Sequence, residues 1–220
     1  MTDSVLAPVE PDPRTLRDRF FADARHWSLG LVSGRPWRLD LGPVTMLRFG
    51  EPRPNSSGWS WPIEGGLLAR APGGNLTIAW SEGRLSARVE GYKPLLPAPL
   101  YSLLQLPFHH LTTRLFLLRL RGGNPPPGRP AALERRALAA VLDVASCLVV
   151  SRFQPRRALV VAAAYHVCFW SVFGRTPGGL AAGIRLLALD GSKPTPAQAA
   201  VRLVAGDALA ATAMVEWPAK

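Results

Sequence analysis

Two ionisable residues stand inside apolar runs of this chain: Asp143 within Ala137–Ser151 and His166 within Ala158–Phe173. Such groups are costly in hydrocarbon or in a dry core, so they take a partner or face a wet cavity. Asp143 lies nine residues before Arg152, and His166 lies nine residues after Arg157. A helical hairpin turning within Arg152–Arg157 therefore holds the carboxylate and the imidazole at one depth. Imidazole is the side chain whose ordinary pKa lies near neutrality, so the pair could gate a proton. The structural alternative is that His166 hydrogen-bonds Asp143 or a backbone carbonyl. Arg136 precedes Asp143 by seven residues, two helical turns, and shares its face. That pair could orient a hydrated path or bind an ion. Structurally, Arg136 would snorkel to an interface while a neighbouring helix satisfies Asp143. A metal site of His166, Cys147 and Cys168 has no ligand-spacing signature, and no cofactor is expected.

Other chemistry-bearing patterns are missing from the sequence. There is no G-x-S-x-G, no H-E-x-x-H and no dinucleotide-binding glycine pattern. The Gly174–Gly179 segment lacks the lysine and Ser/Thr ending of a phosphate-binding loop and reads as a tight exit from the second apolar run. His109-His110 reads as an interfacial or capping pair. No enzyme activity is expected.

The elements that must position these residues form an α+β chain. Residues 1–13 read as a disordered tail, and Arg14–Leu31 as a helix with Leu16, Phe20, Ala24 and Trp27 on one face. The period then changes to two, with Trp37, Leu39 and Leu41, and later Trp59, Trp61 and Ile63, alternating with other residues. Leu76–Trp80 and Arg84–Val89 make the clearest hairpin, joined through Glu82-Gly83. An antiparallel β-rich domain is thus expected over 14–121. Pro97–Leu120 is apolar and broken by Pro107, giving a helix over Ala98–Leu106 and a second element from Phe108. This region either closes over the aromatic sheet face or lies in a membrane interface, with Tyr101, His109, His110 and Arg114 at headgroup level. Residues 122–130, with Pro125–Pro127, read as a stiff linker. The remainder, 131–220, reads as a helical hairpin plus a third helix over Pro196–Val215, whose apolar surface Arg202 and Asp207 interrupt.

Composition narrows the partners. The net charge is +11, carried by arginine, because Lys93, Lys193 and Lys220 are the lysines; mean hydropathy is +0.10. Anionic lipid is the expected counterion, and no helix-turn-helix, zinc or RNA-binding aromatic pattern points to nucleic acid. Two cysteines, one in each apolar run, argue against a secreted disulfide scaffold. Met1–Asp12 has no basic start followed by an apolar run, so no cleaved signal peptide is expected.

The C-terminal pattern resembles the RDD family of membrane proteins over roughly residues 131–205. Arg136 and Asp143 match the opening of that family's first helix. Gly174-Arg175-Thr176-Pro177-Gly178 matches its G-x-T-x-G turn, Gly183–Gly191 its segment ending in Asp190-Gly191, and Arg202 its later arginine. Gly179 stands where the family has a lysine. The resemblance implies an integral cell-membrane protein in transport or ligand handling. Arg136, Asp143 and Asp190 are its matched polar residues, and His166, Gly174, Thr176, Gly178, Arg185 and Arg202 are further candidates. It would handle a small ligand or ion, could self-associate, and would keep its β-rich binding domain cytoplasmic. The rival reading is a soluble or peripheral small-ligand or lipid-binding protein whose apolar hairpin is a buried core. Helix length is its argument: sixteen residues reach about 24 Å, short of a hydrocarbon core of roughly 30 Å.

Overall fold

The computed structural model describes residues 1–122 and 128–217. The chain divides into two compact units, Met1–Gly123 and Asn124–Lys220. The Pro125–Pro127 run, and with it the middle of the expected linker, lies outside the described residues.

The first unit is β-rich, as its alternating residues predict. Its elements are β1 Thr2–Leu6, α1 Pro13–Ala22, α2 Ala24–Trp27, β2 Ser33–Arg35, β3 Arg38–Leu41, β4 Val44–Phe49, β5 Arg53–Asn55, β6 Gly58–Gly65, β7 Asn75–Ser81 and β8 Arg84–Glu90. A helical stretch follows: α3 Ala98–Leu100, a π-turn at Tyr101–Gln105, and α4 Leu106–Leu120. The strands form an antiparallel half-barrel in the order β1-β8-β7-β6-β4-β3-β2, with β5 paired to β6. The β7–β8 hairpin pairs Ser81 with Arg84 across Glu82-Gly83, both at positive φ (51° and 74°), as a two-residue primed turn requires.

Two expectations need correction here. Residues 1–13 are not a tail throughout, because β1 pairs along β8 and Val5 is buried. The Met1 ammonium donates to the Val89 carbonyl at 3.0 Å, which extends the same contact. Pro107 does not break the helix either. It sits in the first turn of α4, where a missing N–H costs little, and the π-turn takes up the irregularity before it.

The core of this unit is aromatic. Leu115, Phe116, Leu117 and Leu118 of α4 are all fully buried, which is the behaviour of a helix surrounded by apolar neighbours. Phe20 of α1 meets Phe116 edge-on at 5.2 Å and stacks on Trp27 at 5.2 Å; Phe21 meets Phe49 at 5.4 Å. Trp61, Ile78 and Leu85 fill the concave sheet face.

The second unit comprises α5 Leu133–Val150, α6 Pro155–Phe173, α7 Pro177–Ala181, β9 Ile184–Ala188, α8 Pro196–Ala210 and β10 Thr212–Glu216. The expected third helix stops earlier than its alanines imply. Ala211 turns left-handed (φ 52°), and Thr212–Glu216 pairs antiparallel with β9 as a two-stranded sheet. The unit is therefore not purely helical. Among the described residues no helix is long and apolar enough to cross a membrane. The spanning hairpin expected from sequence is thus not what the structure provides. Glu134, Arg135, Arg136 and Asp143 fall inside α5, and Arg156 and Arg157 open α6.

Phe116→Ala should cost about 3–5 kcal/mol, the usual loss for a buried phenylalanine that leaves a cavity. A lower denaturation midpoint followed by tryptophan fluorescence reads this, since five of the seven tryptophans lie in the first unit. An unchanged midpoint would contradict the packing around α4.

Candidate functional site

The site grows from the α5–α6 hairpin. Its turn holds Arg152 and Phe153 left-handed (φ 53° and 58°), and Pro155 starts α6. Gly174 then closes α6 at φ 71°, and Thr176 caps α7 by accepting the Gly179 N–H at 3.0 Å. The glycine-threonine-glycine turn read from sequence is thus a helix stop followed by a helix start. Gly178 lets α7 press against α5: a Cβ there would lie 2.4 Å from the Ala139 carbonyl oxygen and 2.6 Å from Asp143 Oδ1.

Asp143 is 3 % exposed and fully engaged. Its Oδ1 accepts the Tyr165 hydroxyl at 2.7 Å and the Gly178 N–H at 2.9 Å; its Oδ2 accepts the Thr176 hydroxyl at 2.6 Å. Short donors of this kind are what allow a buried carboxylate to exist. His166 Nε2 stands 3.8 Å from Oδ2, an ion-pair distance rather than a hydrogen bond, while its Nδ1 meets the Ala162 carbonyl at 2.8 Å. The equal-depth reading of the hairpin therefore brings Asp143 and His166 together. Burial, then the Asp143 contact, raises the Tyr165 hydroxyl well above its ordinary pKa and keeps it a donor.

A second cluster extends from this one. Arg202 pairs with Asp207 and lies 5.0 Å above the Trp170 ring, which itself packs 4.8 Å from His166. The Thr212 hydroxyl donates to Asp207 at 2.9 Å, and Arg136 approaches the same carboxylate at 3.8 Å. Burial, with Arg136 nearby, lowers the Arg202 pKa to about 10, which still leaves it a cation at neutral pH. Arg185 and Arg175 lie 4.3 and 5.7 Å over Trp217, and Arg185 Nε is buried with no hydrogen-bond partner among the described residues.

A cavity of about 100 Å³ lies among these groups, bordered by Arg136, Asp143, His166, Arg175, Thr176 and Arg185. Three arginine residues and one carboxylate residue thus border a space that suits water or a small anion. Asp190 is not part of it: it is buried at the end of β9 and accepts the Ser192 hydroxyl at 2.6 Å. Gly174 and Gly178 shape the backbone without lining the cavity, and Arg202 reaches it through Trp170. No group of three or more His, Cys, Asp or Glu side chains that could hold a metal ion occurs among the described residues. Sequence reasoning missed Tyr165, which stands beside His166 in an apolar helix, and the ring contacts of Trp217. The phenol within that run was the available signal.

The RDD family model matches residues 157–214, from the first turn of α6 into β10. This segment carries His166, Thr176, Gly178, Arg185 and Arg202, and the chain is RDD-like over it. Asp143 and Arg136 precede the matched range yet complete the same cluster. No curated protein and no solved structure matches the chain.

Asp143→Ala should cost about 3 kcal/mol or more, because three buried donors lose their acceptor together. Asp143→Asn should cost roughly half as much, since its carbonyl oxygen still accepts. Thermal unfolding of the full chain orders them; equal losses would contradict the donor arrangement. Gly178→Ala should also lower the melting temperature, because the added methyl meets α5 backbone at 2.4 Å. A variant as stable as the parent would refute the close α5–α7 contact.

Proposed function

We propose that the second unit is a membrane-seated, RDD-like ligand-handling module that takes a small anion in its arginine-lined cavity. Its inverted polarity carries this reading. Asp143, Thr176 and Gln198 are buried, whereas Leu133, Val141, Val150, Leu159, Val160 and Val204 are between 66 and 89 % exposed. Water does not favour that arrangement, and apolar side chains exposed to this extent fit a lipid or protein contact. The family match to residues 157–214 and the arginine-borne charge favour lipid. The α5–α6 hairpin would lie in the interface, with its apolar side in the acyl boundary and Arg152, Arg156 and Arg157 at the headgroups. Transport, which the resemblance implies, would use this cavity as its ligand site.

Flotation of full-length protein with phosphatidylcholine vesicles, with and without phosphatidylglycerol, tests the seat. Co-flotation, strongest with phosphatidylglycerol and lost in Val141→Glu/Val160→Glu, is expected. Protein that stays at the bottom of the gradient with both vesicles would overturn the membrane reading. Inorganic phosphate should raise the melting temperature of the parent and not of Arg185→Gln; equal responses would remove the cavity from the proposal.

A further inference from the structure

The turn of the α5–α6 hairpin gathers positive charge without a protein counterion. Arg152, Arg156 and Arg157 border one cleft of about 390 Å³. From Val144 to Leu189 the sequence contains no Asp or Glu. Among the described residues, the ion pairs of the second unit belong to Arg135, Arg136, His166 and Arg202, and not to these three. Arg156 and Arg157 also lie in the first turn of α6, where a cation opposes the helix dipole. Arg152 joins them from beyond the end of α5, in a left-handed conformation (φ 53°) that residues with a Cβ adopt rarely. Helix stability alone does not favour this placement, and an anion in the cleft offsets it.

The remainder of the border is apolar apart from Ser151, whose hydroxyl donates to the Leu148 carbonyl at 2.9 Å. Val150, Val160 and Val161 complete it, and Val150 and Val160 are 70 and 71 % exposed. A hydrated inorganic anion has no use for valine, whereas a lipid brings charge and hydrocarbon together.

The charge selects a headgroup class. A phosphomonoester carries about −1.5 to −2 near neutral pH and presents three terminal oxygens. A phosphodiester carries a single charge on two such oxygens. Guanidinium groups take phosphate oxygens through paired N–H donors, so three arginines match the monoester better.

We propose that this cleft is a site for a phosphomonoester lipid of the phosphatidic acid class. The phosphate lies among Arg152, Arg156 and Arg157, and the acyl chains run along Val150 and Val160. The inference rests on the reading of this hairpin as lipid-facing, and it adds one specific lipid to what a diffuse basic surface would attract. The small-anion cavity bordered by Arg136, Arg175 and Arg185 takes no part in it.

Isothermal titration calorimetry of the full-length protein tests the site without a bilayer. The probes are dihexanoyl phosphatidic acid, dihexanoyl phosphatidylglycerol and glycerol 3-phosphate, with both lipids below their micelle concentrations. Dihexanoyl phosphatidic acid should bind saturably, one per chain, and about tenfold more tightly than the diester, the effect of one further charge-assisted contact. Arg152→Gln/Arg156→Gln/Arg157→Gln should erase that preference. Arg14→Gln/Arg53→Gln/Arg70→Gln, which removes the same charge from exposed positions of the first unit, should keep it. Absence of saturable binding, equal affinity for the two lipids, or a preference that survives the first triple variant or disappears in the second would each overturn the proposal. Glycerol 3-phosphate bound as tightly as the lipid, and lost in the first triple variant, would overturn it in favour of a free-phosphate site. Saturable binding of the soluble lipid by a protein that does not float with vesicles would support this site while retiring the bilayer seat.

Discussion

The second unit depends on one satisfied buried charge. Asp143 draws a hydroxyl from α6, a hydroxyl from the cap of α7 and an N–H from the first turn of α7 onto a single carboxylate. A buried carboxylate is tolerated only when its lone pairs are met, so each donor fixes where its element stands. Thr176 serves twice, accepting from Gly179 and donating to Asp143, which couples the start of α7 to the middle of α5. Gly178 is the steric counterpart of that bond. Apolar packing could not set this register, because the buried clusters here consist largely of small residues such as Ala131, Ala139, Ala182 and Ala199.

The two units solve the folding problem in different ways. The first buries a run of leucine and phenylalanine on α4 against aromatic side chains from α1 and the half-barrel, and its stability is hydrophobic in the ordinary sense. The second places its polar network inside and leaves valine and leucine on the outside of α5 and α6. Its specificity comes from hydrogen bonds and ring–cation contacts, with Trp170 between His166 and Arg202 and Trp217 under Arg185. Gln105, buried while Leu103 and Leu104 are exposed, repeats that inversion on a small scale within the first unit.

Much of this was legible in the sequence where the signal was local. The period-two residues around Trp59–Ile63 and the Glu82-Gly83 turn give the sheet, and two residues equidistant from an arginine-flanked turn give the Asp143–His166 approach. The less legible features depend on distant partners. β1 lies in a proline-bearing stretch that reads as a tail until β8 is there to pair with it. Thr212–Glu216 continues an alanine-rich segment, and only β9, more than twenty residues earlier, makes it a strand. A membrane span was overread because α5, at eighteen residues, carries Glu134, Arg135, Arg136 and Asp143, more charge than snorkelling at one end can remove from the apolar stretch. The burial of Gln105 rests on a π-turn, which has no pattern of its own.

Whether lipid or water covers the outside of α5 and α6 decides the nature of the second unit. Nitroxide labels at Val141 and Val160, with the exposed turn residue Ser56 as an aqueous reference, report this directly by power-saturation spectroscopy on full-length protein bound to phosphatidylglycerol-containing vesicles. Greater accessibility to oxygen than to a water-soluble nickel chelate at Val141 and Val160, and the reverse at Ser56, is the predicted result. Nickel accessibility at Val141 and Val160 equal to that at the reference would place those faces in water and contradict a lipid-covered, polar-cored unit.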